Sequence, residues 1–465
     1  MKPKLHGIAS VLVLRTFVCV GKAEDAASLQ IPQLRETPEQ RESRLQWFRD
    51  AKFGMFVHWG PAAISGEEIS WGMAGRIEGG QQHMKVPRET YMNLYRQFNP
   101  LKFDADQWLR LAKAAGMKYI VFITKHHDGF SMWPTKQVRF GEGSGFAPHY
   151  SIADTPYQKD ICRMIQQVAK AHGLKLGWYY STRDWTHPDY LQGDNTRYND
   201  YYQAQVRELL TEYGPVDVMW FDHCFGNWDQ YTIPHLFETM YTVKPELLVN
   251  NRAARGLKGI PAESRALDAA DFDAPENRMG TFQYGRAWES CMILSPHSDH
   301  GGWSYWPDGK TRNCKETIQL LSSAACGDGN MLLNIAPLPT GEIRAEEEAV
   351  LEELAPWTQR YGEVIYGTRG GPWVNGRWGG STHRGHIVYV HFLQWNGDTL
   401  TLRPLKENFA RRTAQIFSGY SAGSPWRSLA LRTRNCRQMR GCSNITRPET
   451  IADWKPWCSS SAATC

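Results

Sequence analysis

Eight short apolar runs recur across residues 53–335, with amphipathic helical stretches between them. The runs fall at residues 53–59, 119–124, 176–180, 216–221, 247–250, 269–272 (the weakest), 291–294 and 331–335. They lack the polar alternation of a strand with one wet face, so they predict strands buried on both sides, as in parallel sheets covered by helices. Two intervening stretches show the helical period: in residues 105–115, Trp108, Leu111, Ala112 and Ala115 share a face, and in residues 160–172, Ile161, Ile165 and Val168 do. A last helix is expected over residues 344–354. Eight strand–helix alternations over some 300 residues predict a (β/α)8 barrel. A doubly wound open sheet would place a Gly-rich phosphate turn after its first strand, and Val57-His58-Trp59-Gly60-Pro61 is nothing like one.

After Tyr366 the apolar period changes to two, in Ile387, Tyr389, His391 and Leu393 and again in Leu400 and Leu402, with Asn396-Gly397-Asp398 as a turn between. This predicts a small, incomplete antiparallel β domain. Past about residue 425 the sequence becomes rich in Arg, Ser and Cys, without apolar period. A shifted reading frame between Leu405 and Pro425, or a replaced tail, is the expectation for this change. The expected organisation is a signal peptide at 1–23, a lead-in at 24–45, the barrel at 46–365, a partial β-sandwich at 366–420 and an atypical tail at 421–465.

That tail decides how the charge is read. The chain holds 53 basic and 48 acidic side chains; residues 421–465 contain seven of the basic and two of the acidic ones, so the preceding 420 residues are balanced. A nucleic-acid partner is not expected. Residues 1–23 carry Lys2 and Lys4, an apolar run and small residues at Gly21 and Ala23, which resembles a secretory signal, so a secreted or periplasmic protein is expected. Elsewhere no stretch approaches the ~18 apolar residues of a membrane span. Of ten cysteines, five (Cys162, Cys224, Cys291, Cys314, Cys326) lie scattered in the body without metal-site or disulfide-framework spacing, and most are expected to be buried small side chains.

Barrel active sites are built where strands leave into their βα loops. Here those ends carry His58, His126-His127-Asp128, Tyr179-Tyr180-Ser181, Trp220-Phe221-Asp222, Arg252, and Asp271 through Glu276. Imidazoles, aromatic faces, one arginine and carboxylates suit a sugar, whose hydroxyls need fixed donors and acceptors while its C–H face packs on rings. A metal site at His126-His127-Asp128 is not expected, because adjacent strand residues point to opposite faces. Asp222 ends an otherwise apolar strand, as either a loop or cap carboxylate or a functional one. A retaining glycosidase needs a nucleophile carboxylate and a second that donates a proton, ~5–5.5 Å apart. Arg252 could hold Asp222 ionised; Glu276 and Glu289 are the candidates for the acid.

The runs Trp47-Phe48-Arg49, Lys52-Phe53-Gly54-Met55-Phe56-Val57-His58-Trp59-Gly60 and Thr124-Lys125-His126-His127-Asp128-Gly129-Phe130 resemble the α-L-fucosidases of glycoside hydrolase family 29. So do Tyr179-Tyr180-Ser181, Trp220-Phe221-Asp222, Asp271-Phe272 with Pro275-Glu276, Trp288-Glu289, Asn330-Met331-Leu332-Leu333-Asn334-Ile335 and Tyr366-Gly367-Thr368. The resemblance spans roughly residues 40–370. It implies Asp222 as nucleophile and Glu276 as general acid/base, with Glu289 the runner-up. It implies His58, Trp71, His126, His127, Tyr180, Trp220, Arg252 and Trp303 as fucose-binding residues, and no metal or cofactor. Where many members carry Glu before the matching tryptophan, this chain has Ser70, and Glu68 is the candidate replacement. The expected activity is retaining hydrolysis of terminal α-L-fucose from oligosaccharides or glycans. The alternatives are a catalytically weak fucose-binding protein and a barrel glycosidase for a related sugar such as galactose.

Overall fold

The computed structural model describes residues 31–74, 85–222, 224–261, 264, 266–280, 286–297, 301–394, 399–402, 413–418, 428–431 and 444–446. The expected leader at 1–23 and most of the atypical tail lie outside these residues.

Eight parallel strands form one sheet: β1 (Phe53–Val57), β2 (Tyr119–Lys125), β3 (Lys175–Tyr180), β4 (Val218–Phe221), β5 (Leu248–Val249), β6 (Phe272–Asp273), β7 (Ala287–Ile293) and β8 (Asn330–Ile335). Pairing runs β5-β4-β3-β2-β1-β8-β7-β6. The ring closes between β5 and β6 through a single bridge, Asn250 to Phe272. At this narrow seam the Asp271 carboxylate does what a backbone acceptor does elsewhere. It accepts the Val249 amide at 2.9 Å, while the Asp271 amide donates to the Val249 carbonyl at 2.7 Å.

The helices are α1 (Pro38–Ala51), a short α2 (Arg88–Met92), α3 (Ala105–Ala114), α4 (Ile161–His172), α5 (Thr196–Glu212), α6 (Ile233–Val243), α7 (Cys314–Cys326) and α8 (Ala345–Tyr361). The barrel departs from eight full repeats on one side. Among the described residues only two 3-10 turns, Asn251–Ala253 and Ala266–Ala269, lie between β5 and β6, and no helix is described between β6 and β7. Caps set several starts: the Asp104 carboxylate accepts the Asp106 and Gln107 amides, and Asp160 accepts the Arg163 amide. α4 stops at Gly173, whose φ of 68° lies in the left-handed region that ends helices. The eighth helix extends well past the expected residue 354, running through Pro356 because Trp357 and Thr358 bury behind it.

Alternation along the strands divides the core into a layer between strands and helices and a barrel interior. The interior holds Phe56, Tyr119, Val121, Ile123, Tyr179, Val218, Trp220, Leu248, Phe272, Cys291, Ile293 and Leu332. Leu45, Phe48 and Ala51 of α1 join the same cluster, so α1 plugs the end of the barrel opposite the loop face. Gly54 is required beside this plug, since a Cβ there would lie 2.5 Å from the Tyr119 ring.

The seventh strand begins four residues before the expected Cys291. Polar Glu289 and Ser290 break the apolar run in the sequence, yet both are fully buried and Glu289 pairs in register with Asn330.

The second sheet contains the expected small antiparallel unit, with further strands joined to it. β9 (Arg369–Gly370), β10 (Gly379–Arg384) and β11 (Ile387–Phe392) pair antiparallel, but β11 also pairs parallel with β13 (Thr413–Ser418), which pairs antiparallel with β14 (Ser428–Leu431). β12 (Thr399–Thr401) pairs with β15 (Asn444–Thr446). The Ser-Leu-Ala-Leu alternation of β14 is too short to register as a period in the sequence. Among the described residues no helix is long and apolar enough to cross a membrane. The five body cysteines are free thiols, four of them buried, as expected.

Candidate active site

Where the strands end, a cavity of about 440 Å³ opens, within the ~300–1,000 Å³ usual for ligand pockets. Its wall includes His58, Glu68, Trp71, His126, His127, Tyr179, Trp220, Asp222, Arg252, Glu276, Cys291 and Trp303.

Asp222 follows β4 by one residue and is mostly shielded. Its Oδ2 accepts the Tyr179 hydroxyl at 2.8 Å and its Oδ1 accepts Arg252 Nη1 at 3.1 Å. The same Nη1 donates to Glu276 Oε2, also at 3.1 Å. Because both carboxylates meet at one nitrogen, the two bonded oxygens can be no farther apart than twice that distance. Both carboxylates therefore reach into the same part of the cavity.

Arg252 is fixed on its other edge: Nε and Nη2 donate to the Ala274 carbonyl at 3.0 and 2.8 Å, and the guanidinium lies 4.9 Å over the Trp220 ring. Burial opposes its charge, but Asp222, Cys291 and Glu276 hold its pKa above the ordinary value. Glu276 projects with its side chain 43% exposed, on a segment strapped to β7. There the Cys291 amide donates to the Pro275 carbonyl at 3.1 Å and the Asn277 amide to the Cys291 carbonyl at 2.9 Å.

The three histidines are neutral donors or acceptors rather than charges. Burial pushes His58 down to about 4, and holds His126 and His127 well below the usual range. Each Nδ1 has a partner: Asn334 Oδ1 at 2.6 Å for His58, Ser70 Oγ at 2.6 Å for His126 and Ser181 Oγ at 2.5 Å for His127. The Asn334 amide nitrogen donates to the Trp303 carbonyl at 2.7 Å, so its oxygen faces His58 and assigns the proton to Nδ1. His58 Nε2 is thereby an acceptor for a hydroxyl.

His126 and His127 correct the expectation that neighbours must point apart. β2 ends at Lys125, the chain turns, and both rings line one cavity with centroids 4.1 Å apart. With Asp222 they are a group of three donors within 4.8 Å of one another. Both Asp222 oxygens already accept protein donors, so the set is built to hold a carboxylate in place rather than as an open ligand cradle.

Tyr180 is the second correction. Strand parity sends it outward, where its hydroxyl donates to Gln205 Oε1 at 2.8 Å behind the barrel. Tyr179, in register with Trp220, is the ring that enters the site. The signal was present in the sequence: Gly177 and Tyr179 share a parity, and a glycine suits a crowded barrel interior.

Glu68 lines the cavity, but its carboxylate holds the loop carrying Trp303. It accepts the amides of Gly302, Trp303 and Ser304 and the Trp306 indole N–H, the last three at 3.1, 3.0 and 3.3 Å. Its pKa is raised by burial against these donors. Glu289 lies beneath the pocket floor, outside the cavity and fully buried. Trp71 meets the edge of His127 at 5.6 Å, as expected of a wall residue. Ser70, Ser181 and Asn334 support the three histidines, a role that the sequence, though it marks their positions, does not assign to them.

A family model described as Alpha-L-fucosidase matches residues 22–363. The chain is 29% identical over 354 residues to a putative alpha-L-fucosidase of Caenorhabditis elegans, covering 71% of this chain and 67% of that one. It is 28% identical over 377 residues to the human plasma alpha-L-fucosidase, covering 75% and 76%. Among solved structures it is similar to alpha-L-fucosidase isoenzyme 1 from Paenibacillus thiaminolyticus, with a TM-score of 0.66, 31% identity and coverage of 79% and 87%. It is also similar to a Bacteroides thetaiotaomicron GH29 enzyme trapped as a covalent intermediate with 2-fluoro-fucosyl fluoride, with a TM-score of 0.61, 28% identity and coverage of 73% and 80%.

Proposed function

The chain belongs to the α-L-fucosidases of glycoside hydrolase family 29, and from that membership we propose which of its residues carry the reaction. The enzyme is a retaining glycoside hydrolase that releases terminal α-L-fucose by double displacement. In the first step Asp222 attacks the anomeric carbon while Glu276 gives its proton to the departing oxygen. The C–O bond to the aglycone breaks and an ester to Asp222 forms. In the second step Glu276 takes a proton from water, which attacks the same carbon and expels Asp222, so two inversions leave the configuration unchanged.

The observation that carries this assignment is the single Arg252 Nη1 shared by Asp222 and Glu276. Two carboxylates bonded to one nitrogen support a nucleophile and an acid/base acting on the same anomeric carbon. Tyr179 and Arg252 together keep Asp222 ionised and aimed, as a nucleophile requires. The neutral imidazoles of His58, His126 and His127 would meet the sugar's hydroxyls, and Trp71, Trp220 and Trp303 its apolar face. Glu68 acts by holding the Trp303 loop, its oxygens being taken.

Azide tests the roles separately. In Asp222→Gly, azide attacks from the vacated face and yields a fucosyl azide of inverted configuration. In Glu276→Ala, azide intercepts the ester and yields the retained azide. Asp222→Asn with ordinary turnover of an aryl α-L-fucoside, or inverted free sugar as the first product, overturns the reading.

Export of the protein is part of the same proposal. It is supported by the basic start and apolar run of residues 1–23, and the mass of the mature chain in an exporting host tests it.

A further inference from the structure

Below the cavity floor the barrel interior contains an uncommon feature, a carboxylate with no access to solvent. Glu289 sits on β7 and reaches Tyr119 and Trp220 of the apolar interior cluster, which also holds Cys291, Phe272 and Leu332. Burying an acidic group in an apolar barrel is costly unless each oxygen finds a donor. Both do: Oε2 accepts the Tyr119 hydroxyl and Oε1 accepts the Trp220 indole N–H at 2.9 Å. A leucine of similar size would fill this space without that cost, so the position calls for a reason beyond packing.

The reason lies in what Trp220 touches. Its ring stacks on Tyr179, with centroids 5.5 Å apart and planes at 20°, and Arg252 lies over the same ring. Tyr179 and Arg252 are the two donors that hold the oxygens of Asp222. The indole N–H is the only polar handle on Trp220, so whatever accepts it sets the ring's rotation about χ2. We propose that Glu289 is a positioning residue for the glycosylation step: by anchoring the Trp220 indole from below, it fixes the platform on which both donors to Asp222 rest. The Tyr119 hydroxyl, itself wedged above the α1 plug, holds the other oxygen and stops the carboxylate from swinging. Position is thus passed from the barrel floor to the nucleophile through two stacked rings and a guanidinium.

This inference rests on the assignment of Asp222 and Glu276, and its test separates the two. Glu289→Leu keeps the volume and removes the acceptor; Glu289→Gln keeps an oxygen for the indole. Glu289→Leu should lower kcat about 10- to 100-fold with KM near wild type, as expected for a misplacement outside the reacting shell, and Glu289→Gln should recover most of the loss. In protein labelled with 5-fluorotryptophan, the resonance absent from Trp220→Phe identifies that ring. It should move in Glu289→Leu and stay near its wild-type place in Glu289→Gln. Trp220→Phe, which retains the ring stack without the N–H, provides the second arm: adding Glu289→Leu to it should cost less than in the wild-type background.

Wild-type kcat in Glu289→Leu, or fully additive losses in the double variant, overturns the proposal. Azide restoring turnover of Glu289→Leu as the retained fucosyl azide would make Glu289 the acid/base. That result would end the Glu276 assignment as well, whereas the first two leave Glu276 untouched.

Discussion

The mouth of the barrel and its interior each hold a glutamate from the same stretch of chain, and they are opposites. Glu276 is half in solvent, meets one guanidinium nitrogen and has an oxygen near the reacting centre. Glu289, thirteen residues on, is sealed, with both oxygens engaged by neutral donors. Residue type and spacing to Asp222 do not distinguish them, so both qualify as the acid in the sequence. Access and partners do. A proton donor must reach a leaving group and then a water; a group sealed below the floor can reach neither.

The largest effects should therefore separate mouth from interior. Asp222→Asn removes the attacking oxygen and should lower kcat by more than about 10³-fold, as loss of a group that acts in the transition state does. Glu276→Gln should cost about 10²- to 10⁴-fold on substrates whose leaving group needs a proton. Its loss should shrink on aryl fucosides with acidic phenols, because those depart unaided. Glu289→Gln should show no such dependence on the leaving group. A common slope for both variants in a series of phenols would erase the distinction.

The next effect belongs to the interior alone and is read in stability. Burial pushes Glu289 up to about 7, against the lowering by Tyr119, Trp220 and Arg252, from an ordinary 4.5. Between those values the native protein keeps a proton that the unfolded chain has released, so this group's contribution falls as pH rises from ~4.5 to ~7 and is flat above. Glutamine cannot ionise. The stability of Glu289→Gln relative to wild type should therefore rise across that window, by up to about 3 kcal/mol, since one proton contributes ~1.4 kcal/mol for each pH unit crossed. His58, pushed to about 4, and Asp184, held low by Arg139 and Lys125 despite its burial, contribute equally to both proteins and cancel. Thermal unfolding of the pair at pH 5, 6, 7 and 8 measures it, and a difference independent of pH would show Glu289 ionised throughout.

How much of this was legible in the sequence follows the same division. The barrel was readable because strands buried on both faces must be apolar throughout, and the loop face was readable because polar residues ended those runs. The register of a side chain was not. Tyr179 and Tyr180 are chemically equal, and only pairing with Trp220 shows which one enters the pocket. The start of β7 was hidden for the reason that makes it interesting: a buried Glu and Ser interrupt the apolar signal. His126 and His127 reach one cavity because the strand ends before them, a boundary that composition does not mark. The seam at Asp271 carried the weakest strand signal and proved to have the shortest strands, two residues on each side.

Ser70 offers the smallest effect and the finest contrast with Glu289, since each supports the site from just outside it. The Ser70 hydroxyl meets His126 Nδ1 at 2.6 Å and accepts the Asp128 amide at 2.8 Å. The backbone is tied as well: the Ser70 amide donates to Tyr91, whose hydroxyl donates to Asp128 Oδ2. With no other acceptor in reach among the described residues, the hydroxyl proton goes to Nδ1, which leaves Nε2–H of His126 as the donor to the sugar. Ser70→Ala strands a buried amide and unlocks that tautomer, at about 1–3 kcal/mol for an unmet buried group. The imidazole touches the sugar in ground and transition states alike, so KM should rise about 10-fold with kcat little changed. Glu289 acts through the nucleophile and should move kcat instead. If Ser70→Ala lowers kcat with KM unchanged, the rim and the floor do not divide binding from chemistry in this barrel, and His126 serves the reacting centre itself.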